Sequence, residues 1–101
     1  MRYLTIIADY AGSCIKDEFA GQLAIEELGL PQAYVDAILL WNESYRVIIP
    51  LSEEQRQARK KEIEKLDRQG IEFSKTLKAL VPGGAKVKYF SEGLMKYLPI
   101  V

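Results

Sequence analysis

The first ten residues alternate between two faces with the period of a β-strand. Leu4, Ile6 and Ala8 fall on one face, and the other face also carries aromatic and β-branched residues. This pattern predicts a strand over Tyr3–Tyr10 that is covered at least in part on both sides. The stretch that follows, up to Gly29, is polar, and we predict at most one helical turn in it.

Farther along, the apolar spacing changes to three and four residues, which is the period of a helix. Pro31 suits the first position of such a helix, because its missing N–H costs nothing there. Five large apolar residues then follow the spacing, namely Tyr34, Ile38, Trp41, Tyr45 and Ile48. We predict an amphipathic helix that ends before Pro50 and is central to the core.

A second helix is predicted to begin after Ser52. The Ser52 hydroxyl can accept from the N–H of Gln55 while the glutamine side chain reaches back, which is a capping box. From Ile63 to Leu80 the apolar residues again recur every three or four positions, and Gly70 falls inside this seam. Gly70 either allows a close approach by the first helix or divides the segment in two. We favour one long helix that ends at Leu80.

Two short strand-like runs close the chain, Ala85–Phe90 and Leu94–Leu98, and the residues between them resemble a hairpin turn. The order of elements is therefore β-α-α-β-β. We predict one domain over residues 1–101 of the α+β class, in which a small antiparallel sheet of about three strands is packed by two helices.

Composition indicates an ordinary globular domain. Of the 101 residues, 49% are hydrophobic and 28% are charged, values that exclude a wholly disordered chain and a disulfide scaffold. No run approaches the ~20 apolar residues that a membrane-spanning helix needs. The first residues lack the plan of a signal peptide, so we expect a mature amino terminus and a cytoplasmic protein without a membrane segment.

The net charge of zero conceals a division between the two halves of the chain. Residues 1–54 carry a net charge of −6 and residues 55–101 carry +6. Such an asymmetry can steer a charged partner, or it can be neutralised where the two halves pack against each other.

The residue types restrict the chemistry that is available. The chain has no histidine, which excludes Ser-His and Cys-His catalysis and the usual zinc sites. Cys14, the only cysteine, is interpreted as a small, half-buried hydrophobe near the end of a strand. Asp9, Asp17 and Glu18 could hold a divalent cation, but their spacing fits no EF-hand loop. We expect no catalytic residues, no metal site and no cofactor, and keep a carboxylate-based enzyme at Asp9 and Asp17 as a third hypothesis.

Basic residues collect on the second helix and on the strand after it: Arg56, Arg59, Lys60, Lys61, Lys86 and Lys88. They could contact the phosphates of a nucleic acid, and Tyr89 and Phe90 could stack on its bases. Acids are interleaved with the helical bases, however, and Glu64 and Arg68 are spaced for an ion pair. We therefore prefer a solvated helix face.

Several stretches of the chain together resemble small bacterial proteins of unassigned function and, more loosely, immunity proteins of contact-dependent growth inhibition systems. The stretches are Glu27-Leu28-Gly29-Leu30-Pro31, Trp41-Asn42-Glu43-Ser44-Tyr45, Gly70-Ile71 before Leu77, and Lys86-Val87-Lys88-Tyr89-Phe90. The resemblance transfers no functional residue. It implies a cytoplasmic protein that binds and neutralises a cognate toxin.

We therefore predict a non-enzymatic protein-binding protein, most concretely an immunity-type inhibitor of a bacterial toxin. A small nucleic-acid-binding or regulatory protein that uses the basic second helix is the alternative. If the partner is a basic toxin nuclease, acids of the first half are its natural contacts. Trp41 and Tyr45 fit the core, which would leave their polar neighbours exposed. The predicted partner-binding residues are Asp17, Glu18, Glu26, Glu27, Asn42, Glu43 and Arg46.

Overall fold

The structure, a computed structural model, describes residues 1–10, 12–19 and 21–100. The strands are β1 (Arg2–Ile6), β2 (Ile15–Asp17), β3 (Gly21–Gln22), β4 (Ala85–Ser91) and β5 (Lys96–Leu98). The α-helices are α1 (Gln32–Tyr45), α2 (Glu53–Ala58) and α3 (Lys60–Leu80), and a short 3-10 helix spans Ile25–Leu28. The fold is α+β, as predicted.

The sheet has five strands in the order β3-β2-β1-β4-β5 and is mixed. The three predicted strands are present as β1, β4 and β5, and β2 and β3 extend the sheet to five. The sheet is not antiparallel throughout as predicted, because β1 pairs with β4 in parallel while the other pairs are antiparallel. The helices between β1 and β4 return the chain to the same end of the sheet, as a parallel crossover requires. The strands β2 and β3 are too short to show a period of two, which is why the sequence pattern missed them.

The helices begin where the sequence predicts. Helix α1 follows Pro31, and the capping box at the start of α2 is formed in full, with the N–H of Gln55 donating to Ser52 Oγ at 3.2 Å. The predicted long helix is divided, but at Arg59 (φ −111°, ψ 24°) and not at Gly70, which lies inside an unbroken α3.

One face of the sheet forms the core together with α1 and α3. Leu4, Ile6 and Tyr89 of the sheet are fully buried on this face, and Trp41 of α1 contacts the Tyr89 ring. The hairpin of β4 and β5 is confirmed, with residues 92–95 as its turn. Within the described residues, no helix is both long enough and apolar enough to cross a membrane.

Candidate functional site

The sheet face opposite α1 and α3 displays aromatic and basic side chains. The alternation that buries Leu4 and Tyr89 turns their strand neighbours to this other face. Register places Tyr3 beside Lys86, Thr5 between Lys16 and Lys88, and Phe90 beside Tyr97. We call this set, with the adjacent Phe19, the uncovered face: Tyr3, Thr5, Lys16, Phe19, Lys86, Lys88, Phe90 and Tyr97.

Two aromatic pairs lie on the uncovered face. Tyr3 and Phe19 meet edge to face with ring centroids 5.3 Å apart, and Phe90 and Tyr97 meet in the same way at 5.1 Å. Phe19 is 80% exposed and Tyr97 is 59% exposed. Edge-to-face geometry holds these rings in defined positions although water reaches them. The face therefore offers ordered apolar area that the fold itself does not bury.

The lysines of the uncovered face are held by rings and by carboxylates. Lys86 Nζ lies 5.9 Å from the centroid of Tyr3, and Lys88 Nζ lies 5.7 Å from that of Tyr97. Lys88 also pairs with Glu18 at 3.2 Å, and Lys16 pairs with Asp9 at 3.4 Å. Two carboxylates thus face three ammonium groups, so the charge of this surface is nearly balanced.

The predicted contacts Asp17 and Glu18 are both engaged within the chain. The Asp17 carboxylate accepts from Arg2 at 3.4 Å and from the N–H of Phe19 at 2.8 Å, and its side chain is mostly buried. Glu18 reaches the uncovered face through its ion pair with Lys88. Of these two acids, therefore, only Glu18 lies at the uncovered face, where its carboxylate pairs with Lys88.

Asn42 is not exposed, which corrects the prediction. It is 1% exposed, and its side-chain amide accepts from the N–H of Asp9 at 2.8 Å and donates to the Asp9 carbonyl at 2.9 Å. A period of 3.6 residues places position 42 on the same buried side of α1 as Trp41 and Tyr45. Through these two hydrogen bonds, Asn42 joins the segment after β1 to α1. Its side chain cannot reach a partner at the surface.

The remaining predicted contacts lie apart from the uncovered face. Glu26 and Glu27 are exposed on the 3-10 helix. Glu43 and Arg46 form an exposed ion pair of 2.8 Å at the end of α1. The structure thus does not gather the seven predicted residues into one site.

Cys14 is fully buried, more deeply than the half-buried position that the sequence indicated. Loss of hydration raises the pKa of its thiol from 9.0 to about 12, with the nearby Asp9 carboxylate adding to the effect. A thiol with a raised pKa is a poor nucleophile at neutral pH. Asp9, Asp17 and Glu18 each face a cation of the chain, and within the described residues no three potential metal ligands come together.

A buried carboxylate lies at the centre of the molecule, and sequence reasoning missed it. Asp67 on α3 accepts hydrogen bonds from the hydroxyls of Tyr89 (2.7 Å), Tyr45 (2.9 Å) and Ser91 (2.8 Å). We call these four residues the hydroxyl cluster. Burial raises the pKa of both tyrosines. The sequence did contain a signal for this burial, since Asp67 adjoins Leu66 in the apolar seam of α3. A buried carboxylate requires hydrogen-bond donors, and the three hydroxyls supply them here.

Two members of the basic group on the second helix, Arg56 and Arg59, are engaged in contacts within the fold. Arg56 donates to three backbone carbonyls, those of Ile49, Leu51 and Glu92, at 2.7–3.0 Å. Arg59 pairs with Glu62. Lys60 and Lys61 stay exposed, so the group does not present four free cations to a nucleic acid.

No protein-family model matches the chain, and no curated protein is significantly similar to it.

Proposed function

We propose that this chain is a non-enzymatic protein-binding protein that docks its partner on the uncovered face. The observation that carries the proposal is the pair of ordered, exposed aromatic contacts, Tyr3 with Phe19 and Phe90 with Tyr97. Aromatic side chains are enriched at the centres of protein interfaces, because they bury a large area and lose little conformational freedom on binding.

The charge of the surface favours a protein over a nucleic acid. Single-stranded nucleic acids bind along grooves of one positive sign, in which bases stack on aromatic rings. On the uncovered face, Lys16 and Lys88 are paired with Asp9 and Glu18. Mixed charges around exposed aromatic rings are typical of the polar rim of a protein interface.

Most concretely, we propose an immunity-type inhibitor that neutralises a cognate bacterial toxin by binding it. The resemblance of the sequence to immunity proteins suggests this class. The engagement of the candidate catalytic groups within the fold supports a role without catalysis: Cys14 is buried with a raised pKa, and Asp9 and Asp17 form ion pairs with Lys16 and Arg2.

The experiment joins site-specific cross-linking to a growth assay. A photo-crosslinking residue, p-benzoylphenylalanine, replaces Phe19 in the tagged chain, which is expressed in its native host. The matched control carries it at Leu40, which is 69% exposed on α1. We expect one protein to be joined at position 19 and not at position 40. Its expression should arrest growth, and co-expression of this chain should restore it.

Variants then test the surface itself. The double variant Phe19→Ala/Tyr97→Ala should bind the cross-linked protein at least ~10-fold more weakly and fail to protect cells, as expected when hot-spot side chains are removed. Leu40→Ala should bind and protect normally. Equal protection by both variants would refute the surface. A cross-linked nucleic acid, or a captured protein that is not toxic, would refute the inhibitor.

A further inference from the structure

The turn between β4 and β5 is held by side chains from other parts of the fold. The N–H of Gly93 donates to Tyr45 Oη at 2.8 Å, and the N–H of Leu94 donates to Ser91 Oγ at 3.0 Å. In addition, Arg56 Nη1 donates to the carbonyl of Glu92 at 2.7 Å. The hydroxyl cluster, through Tyr45 and Ser91, therefore sets the path of the turn.

The turn also contains an unfavourable backbone conformation, which these hydrogen bonds hold in place. Met95 has φ 55°, the only positive φ among the described non-glycine residues, in a region that L residues with a Cβ adopt rarely. Gly93 is packed so closely that a Cβ would lie 2.6 Å from Ile63 Cγ2 and 2.8 Å from Tyr45 Oη. A conformation of this kind persists only where its surroundings over-determine it, and such positions concentrate at functional sites.

This rigid turn exposes apolar side chains. Leu94 is 44% exposed and Met95 is 61% exposed. They border a groove of about 770 Å³ whose apolar lining also includes Leu51 and Ile63. The fold thus uses a buried polar cluster to hold two hydrophobic side chains in water, which lowers the conformational cost of binding a partner there.

We propose that this turn is a preorganised recognition element whose Leu94 and Met95 side chains enter an apolar pocket of the protein partner. The groove is bordered by Glu53 as well as by Arg56 and Lys60, and this mixed rim suits a protein better than an anionic membrane or a nucleic acid. The inference rests on the proposed protein-binding function, because strand β5 leads directly from the turn to Tyr97 of the uncovered face.

Met95→Gly is the decisive variant. Glycine adopts a positive φ without strain, so the turn keeps its path and the melting temperature should not fall. Loss of the side chain should nevertheless weaken binding of the protein cross-linked at position 19 by at least ~10-fold. Leu94→Ser should act similarly, and Leu40→Ser serves as the control. An affinity within twofold of the unchanged chain for both turn variants would overturn the proposal.

Cross-linking at position 94 separates this inference from the proposed function. An adduct with the same protein at positions 19 and 94 supports both. An adduct at 19 alone overturns the role of the turn only, and an adduct at 94 alone overturns the role of the uncovered face only. A second copy of this chain, a lipid or a nucleic acid joined at 94, or no adduct at either position, overturns the inference.

Discussion

Gly70 lies where the ring of Tyr89 meets α3. A Cβ built on Gly70 would lie 2.2 Å from Tyr89 Cε1 and 2.7 Å from its hydroxyl oxygen. The ring cannot easily withdraw, because it is fully buried and its hydroxyl donates to Asp67 at 2.7 Å. The close approach that the apolar seam indicated is therefore real, but it is made by a strand and not by α1.

We expect Gly70→Ala to lower the free energy of unfolding by about 2 kcal/mol. Overpacking a rigid core costs about 1–3 kcal/mol, and an overlap as severe as 2.2 Å lies at the upper end of that range, so a net loss of about 2 kcal/mol remains after the ~1 kcal/mol that alanine contributes to a helix. Urea denaturation measures the change. Gln69→Ala, at the exposed neighbouring position, should have little effect. If Gly70→Ala were as stable as the unchanged chain, Tyr89 would have room to move.

Cys14 makes stability depend on pH in a defined alkaline window. Its thiol stays protonated in the folded chain to a pKa of about 12, whereas the unfolded chain loses the proton from about pH 9. Above pH 9 the unfolded state therefore binds fewer protons, and the free energy of unfolding falls as pH rises. We expect a loss of up to about 1.4 kcal/mol per pH unit from this group.

Unfolding free energies measured between pH 8 and pH 9 test this, because tyrosines in the unfolded chain, with an ordinary pKa of about 10, are still mostly protonated there. The Cys14→Ala variant should be less stable at pH 7, since it leaves a cavity, but should lose most of this slope. A slope that persisted in the variant would assign the effect to other groups.

At the scale of elements, α2 is joined to the fold by Arg56. Helix α2 has six residues and none of them is fully buried, so hydrophobic packing holds it only weakly. Arg56 compensates by donating from three nitrogens to carbonyls that precede α2 and lie in the β4–β5 turn. A planar guanidinium directs donors from three separate nitrogens toward these carbonyls, whereas the three donors of an ammonium group all lie on one nitrogen and cannot span the same arrangement.

Arg56→Lys should therefore destabilise the protein by about 2 kcal/mol, because it removes partly buried hydrogen bonds made by a charged donor. Arg59→Lys is the matched control, since Arg59 makes an exposed ion pair that lysine can also make. Hydrogen exchange should show lost protection in α2 and in the turn for Arg56→Lys only. Equal effects of the two substitutions would contradict the role of Arg56.

At the scale of the whole molecule, features that depend on neighbouring residues were predicted correctly, whereas pairings between residues distant in sequence were not. The proline start of α1, the capping box and the final hairpin each depend on neighbouring residues, and all were found. The parallel pairing of β1 with β4 joins strands about 80 residues apart, and no local signal encodes it. The helical period places Asn42 on the buried side of α1, but a buried amide needs a hydrogen-bond partner, and this partner, Asp9, lies 33 positions away in the sequence.

The charge division of the sequence survives in the folded chain. Among the described residues, five of the six ion pairs join residues of the same half, and only Glu18–Lys88 links the two. Glu26 and Glu27 are exposed and take part in none of them. Packing therefore does not neutralise the acidic half, and its field can act on an approaching partner.

For a basic toxin partner, we expect the double variant Glu26→Lys/Glu27→Lys to associate at least ~10-fold more slowly at low ionic strength, with little change in dissociation rate. The difference should shrink as salt is added, because screening removes long-range steering. Glu64→Lys/Glu72→Lys produces the same change of net charge on α3 and serves as the control. Stopped-flow association rates of both variants at two salt concentrations test this prediction. Equal slowing by both variants would show that net charge alone acts, and slowing by neither would show that the acidic 3-10 helix plays no part in the approach of the partner.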